Sequence, residues 1–130
     1  MDSRDRDVAI DAHRDGTGAK PSDLLPIALA ACTAYDIVNI LYKQRQDLRT
    51  LEAEIESTQA PDPPWAFEKI VVRYIARGDV DVNKARKALA LAEQKYCSVS
   101  ATLRPSVKLE FEIEVRPAEG SSDPPVDPPR

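Results

Sequence analysis

One stretch dominates the hydrophobic pattern of the chain. From Leu24 to Leu41 nearly every residue is apolar, interrupted by Pro26, Thr33, Asp36 and Asn39. A helix that is apolar almost all round must be buried on more than one side. The rest of this small chain has to wrap it, or a second copy must help. A membrane span is not the expectation. The run free of polar groups has the length of a core helix, and Asp36 and Asn39 would sit in hydrocarbon without a partner. Ser22 is the expected N-cap, with Asp23 in the first turn, where negative charge suits the helix dipole. Pro26 is an awkward guest in that turn and is expected to delay the helix or bend it.

After this helix the period changes. Leu51, Ala53 and Ile55 alternate with Glu52, Glu54 and Glu56, which predicts a strand over 48–57 with one wet face. A proline-rich turn region follows over 58–65. Residues 68–76 are rich in β-branched side chains and predict a second strand. Arg77-Gly78-Asp79 is expected to end it as a turn. Asp81 should cap a helix running to about Tyr96, with Val82, Ala85, Leu89 and Ala92 on its apolar face. Residues 98–104 predict a short turn or helix. Val107, Leu109, Phe111, Ile113 and Val115 then alternate with charged residues in the clearest strand of the chain.

The two ends read differently. Residues 1–7 alternate in charge and are expected to be mobile. Val8 and Ile10 suit one short strand, and 13–20 a loop. Gly16 and Gly18 in that loop fit no phosphate-binding pattern. From residue 117 onward proline, glycine and acid dominate, so 117–130 is expected to be a disordered tail. That leaves one folded domain over 8–116. Its three strands each have a solvated face and cover only part of the apolar helix. The surfaces therefore favour a homodimer in which two such helices pack together.

Composition narrows the function classes. The chain has 130 residues and a formal net charge of −4. That acidity opposes general affinity for nucleic acid. The opening MDSRDRD is too acidic and polar for a signal sequence, so the expected location is the cytoplasm. There, two cysteines are free, redox-active or transiently paired rather than a structural disulfide. The single histidine, His13, offers no set of imidazoles for a metal, and no metal or cofactor is expected.

The two cysteines carry the candidate chemistry. At about 100° per residue, Asp36, Asn39 and Lys43 follow Cys32 along one side of the core helix. The thiol thus shares its face with the helix's polar groups. Free cysteine also packs as a small hydrophobe, and spacing alone leaves that reading open. A reactive cysteine must be a thiolate, yet Cys32 lies too deep in the helix for the dipole to help, and Asp36 opposes ionisation. Activation needs a cation from elsewhere, for which Arg14, Arg45 and Arg104 are among the candidates. Cys97 lies far downstream at a helix end. The pair fits a cycle in which one thiolate attacks an O–O bond and the second condenses with the resulting sulfenic acid. For Cys97 too, simple packing is the alternative.

Two segments, KPSDLLPIALAACTAYDIVNIL and EQKYCSVSATLRPSVKLEFEIEV, resemble the OsmC/Ohr superfamily, and in particular its OsmC-like branch. RGDVDVNKARKALALAEQKYC is similar to that family as well. The resemblance spans roughly Ile10 to Val115. It implies an α+β fold, an antiparallel sheet wrapped on a buried central helix, in an intertwined homodimer with active sites at its interface. It implies thiol peroxidase chemistry on organic hydroperoxides, with Cys32 peroxidatic, Cys97 resolving and Asp23 matching the family's catalytic acid. The reductant would be a dithiol, usually a lipoylated protein in the hydroperoxide-resistance branch. The family's activating arginine comes from an N-terminal hairpin, expected here to be truncated. Arg14, Arg4 and Arg6 are the substitutes. The same resemblance allows a catalytically weak or inactive relative that holds a small apolar ligand at the dimer interface.

Overall fold

Helix α1 (Leu24–Lys43) continues without a break through Pro26, which is buried in its first turn. The computed structural model describes residues 21–118. The expected strand at Val8 and Ile10, the loop over 13–20, the truncated hairpin and all but the start of the tail lie outside them. Ser22 is not the N-cap. Pro21–Asp23 form a 3₁₀ turn, and Asp23 takes the cap position with helical backbone angles and no side-chain capping bond. With Asp23 at the cap, the third helical residue is Pro26, which has no N–H, so only the Leu25 amide is left for a capping side chain to serve.

The helix is long and apolar enough to cross a bilayer by length and composition. In this fold Leu29, Ala30, Thr33, Ile37 and Leu41 are buried, and α1 rests on the first strand and on the helices after the second. Its opposite side is left open. Ile27, Ala28, Ala31, Tyr35 and Tyr42 are exposed along one stripe, so the described residues do not bury this helix all round.

Strands β1 (Asp47–Gln59) and β2 (Phe67–Asp79) form a long antiparallel hairpin, and β3 (Lys108–Arg116) pairs with the other side of β2. The sheet is mixed rather than antiparallel throughout, because β3 runs parallel to β2. Between them the chain builds α2 (Val82–Leu91), a π-turn (Ala92–Tyr96) and α3 (Ser98–Leu103). Such a crossover is what parallel neighbours require. Arg77-Gly78-Asp79 is not a turn but the end of β2, paired with Thr50, Leu48 and Asp47. Gly78 sits there at φ +138°, beside a bulge between Leu48 and Thr50.

The period of two sorts the sheet into two faces. Ile70, Val72, Tyr74 and Ala76 of β2 point into the core, flanked across the ladders by Leu51, Ile55, Phe111, Ile113 and Val115. The outer face aligns glutamates of both edge strands against cations of the middle one. Arg73 bridges Glu56 at 3.1 Å and Glu112 at 3.5 Å, Arg77 meets Glu52 at 3.1 Å, and Lys69 meets Glu110 at 3.4 Å. These exposed pairs add little stability each, but they let two glutamate rows share a sheet. Asp81 caps α2 as expected, accepting from the N–H groups of Asn83 and Lys84 at 2.8 and 3.1 Å. Ala85, Ala88 and Leu89 form its buried side, which Ala92 continues into the π-turn, whereas Val82, at the open end, is exposed.

Candidate active site

Cys32 lies midway along α1, on a half-buried stripe with Asp36 and Asn39. Cys97 reaches the same place from the other side of the molecule. Its backbone N–H bonds to Ala92 O at 2.8 Å and so closes the π-turn; the backbone then extends and α3 begins. Cys97 is buried, and its Sγ accepts the N–H of Ser100 at 3.3 Å, the bond of an N-cap. The two thiols lie within hydrogen-bonding contact of each other, and the Val99 N–H is directed at Cys32. Both are free thiols.

Burial pushes the Cys32 thiol above its ordinary pKa, and the hydrogen bond with Cys97 adds to this. The Val99 amide pulls the other way, while the charges of Cys97 and Asp36 raise it further. Burial likewise raises the Asp36 carboxyl. Below the sulfurs lies Tyr74 on β2. Its hydroxyl donates to Ala30 O at 2.6 Å, and burial holds it far above the usual phenol range, so it stays protonated. The Thr33 hydroxyl is buried near it without an aligned hydrogen bond.

The structure thus brings together Cys32, Cys97 and Asp36. It does not bring Asp23 to them: Asp23 is exposed before α1, about 13 Å along the helix axis from Cys32. Arg14, Arg4 and Arg6 lie outside the described residues. Arg45 is exposed beyond the end of α1. Arg104 turns to Glu93 and Ser100, reaching Ser100 Oγ at 2.9 Å and Glu93 Oε2 at 3.3 Å. Among the described residues no group of three His, Cys, Asp or Glu gathers to hold a metal.

Sequence reasoning missed Val99, Ser100 and Tyr74. The amides of Val99 and Ser100 carry no side-chain signal. Tyr74 had one, since the period of two places its hydroxyl on the core face between Val72 and Ala76, where it needs a partner.

An α+β chain that sets a core-helix thiol against a second thiol at a crossover helix defines a class of dithiol proteins. The chain belongs to the OsmC-like family, whose model, described as OsmC-like protein, matches residues 14–112. It is 29% identical over 109 residues to Protein YhfA of Escherichia coli (strain K12), an alignment covering 83% of this chain and 81% of that one. Among solved structures it is similar to a hypothetical protein from Aquifex aeolicus VF5, at TM-score 0.75 and 31% identity, over 80% of this chain and 79% of that one. It also shares the fold of the organic hydroperoxide resistance protein OhrB of Bacillus subtilis, at TM-score 0.57 and 24% identity, over 79% and 76% of the two chains.

Proposed function

We propose that the protein is a cytoplasmic, thiol-dependent peroxidase that reduces organic hydroperoxides. The contact between Cys32 and Cys97 carries this reading. The Cys32 thiolate attacks the terminal peroxide oxygen, the O–O bond breaks, and the alkoxide leaves and takes a proton to become the alcohol. Cys32 is now a sulfenic acid. The Cys97 sulfur attacks it, the S–S bond forms, and hydroxide departs as water. A dithiol reductant, such as a lipoylated protein, restores both thiols by two exchange steps.

Two further parts belong to the proposal. A guanidinium beside Cys32, from Arg14 or from a second copy, offsets the burial and the Asp36 charge that hold the thiol protonated. The working unit is a homodimer, supported by the exposed apolar stripe of Ile27, Ala28, Ala31, Tyr35 and Tyr42 on α1.

The raised pKa of Cys32 favours a second reading, a weak or inactive family member that holds a small apolar ligand at the dimer interface. One assay separates the two. Consumption of cumene hydroperoxide with dihydrolipoamide is compared for the native protein, Cys32→Ser and Cys97→Ser. The peroxidase loses all catalysis in Cys32→Ser and keeps a single turnover in Cys97→Ser. A native protein no faster than Cys32→Ser ends the enzymatic reading and leaves the second.

A further inference from the structure

Successive backbone amides of one short helix hold the two sulfurs. The Val99 N–H is directed at Cys32, and the Ser100 N–H donates to Cys97 Sγ at 3.3 Å. The separation of the thiols therefore depends on how α3 is held against α1 and α2. A six-residue helix does not hold itself.

Its anchor lies in the π-turn. Because the Cys97 N–H goes to Ala92 O, the Glu93 carbonyl loses the amide that a continuing α-helix would have brought it. Two side chains replace that amide: Ser100 Oγ donates to Glu93 O at 2.6 Å and Arg104 Nη2 at 3.1 Å. The same nitrogen donates to Ser100 Oγ at 2.9 Å and meets Glu93 Oε2 at 3.3 Å. Ser100 is fully buried, and the Glu93 side chain is 17% exposed against 47% for Arg104, so the cluster closes over the turn from its solvent side. Ser100 belongs to both systems. Its hydroxyl is in the cluster, and its amide holds the resolving sulfur.

We propose that Arg104, acting through Ser100 and Glu93, is a positioning residue that fixes α3 so that the Val99 and Ser100 amides hold Cys32 and Cys97 ready to close a disulfide. This rests on reading the two cysteines as a redox pair, but not on a hydroperoxide as their oxidant. Arginine suits the task because its planar guanidinium carries the one nitrogen that makes all three contacts on a rigid, permanently charged group, where lysine offers a flexible point charge. Without the cluster α3 drifts, and the effective concentration of one thiol at the other falls.

The test uses oxidised dithiothreitol on the full chain. The two protein thiols lose two electrons and two protons as the S–S bond forms, and the oxidised reagent takes up both and opens to its dithiol. Acid quench, alkylation and mass spectrometry at graded reagent ratios give the effective concentration of the thiol pair. Arg104→Ala and Ser100→Ala should each lower it about tenfold, with Arg104→Lys between them and the native protein. Circular dichroism and thermal melting run alongside. A lower melting temperature with an unchanged effective concentration overturns the proposal, because it leaves Arg104 only a structural role. If Ser100→Ala does not fold, the half-exposed Arg104 supplies the test through its alanine and lysine variants. A protein inert to hydroperoxide but sensitive at Arg104 overturns the peroxidase reading alone. An active peroxidase whose Arg104→Ala closes its disulfide like the native protein overturns this inference alone.

Discussion

Tyr74, on the middle strand, donates a 2.6 Å hydrogen bond to the carbonyl of Ala30, one helical half-turn before Cys32. The bond ties the core face of the sheet to the stretch of α1 that carries the thiol. Both ends are buried, so its net worth is about 1 kcal/mol. Tyr74→Phe keeps the ring and removes the donor. It should lower the thermal midpoint by about 4–8 °C with the secondary structure unchanged. A melt indistinguishable from the native one would show that the bond contributes nothing to stability.

Asp36 opposes ionisation of Cys32, so Asp36→Asn should lower the pKa of that thiol. Measured by iodoacetamide in a Cys97→Ser background, the pH–rate curve for alkylation should shift to lower pH, with faster labelling at neutral pH. An unshifted curve refutes the coupling.

The same substitution has a signature in stability. Burial raises the folded-state pKa of Asp36 above its ordinary 3.8, so the folded chain binds this proton more tightly than the unfolded one. The carboxyl's favourable contribution is therefore complete below the unfolded pKa and is lost as pH rises through the folded one. Asp36→Asn should melt higher than the native protein at pH 7, and the advantage should vanish as the pH drops below the unfolded pKa. Equal melting temperatures at both ends of that range would contradict this sign.

Gly78 is required by its backbone. At φ +138° an added Cβ would come within 2.1 Å of Asp47 O. The neighbour is backbone held in the β1–β2 ladder and cannot rotate away. Gly78→Ala should cost about 1–3 kcal/mol, read as a lower denaturant midpoint at an unchanged slope.

The open stripe of α1 predicts self-association. Light scattering should give the mass of two chains at micromolar concentration, and Ala31→Glu, in the middle of the stripe, should give the mass of one. A native protein that runs as a single chain removes the dimer from the proposed function.

Local pattern determined much of this protein. The apolar run Leu24–Leu41, the alternation at Leu51–Ile55 and at Val107–Val115, and the cap at Asp81 each carry their own periodicity or capping chemistry. All four emerge as the expected elements. The polar stripe of Cys32, Asp36 and Asn39 follows from helical geometry in the same way. Alternation says which way a side chain points but not which way the neighbouring strand runs, so the parallel pairing of β3 with β2 was decided by the crossover. The capping preference of Ser22 failed because the 3₁₀ turn over Pro21–Asp23 moves the cap position to Asp23. No periodicity placed Cys32 against Cys97: a redox cycle suited the pair, simple packing was the alternative, and the resemblance implied their roles. The Val99 and Ser100 amides, and the Arg104 cluster that secures them, had no mark in the chain. Backbone amides are the same in every residue but proline, and only tertiary structure decides which of them faces a sulfur.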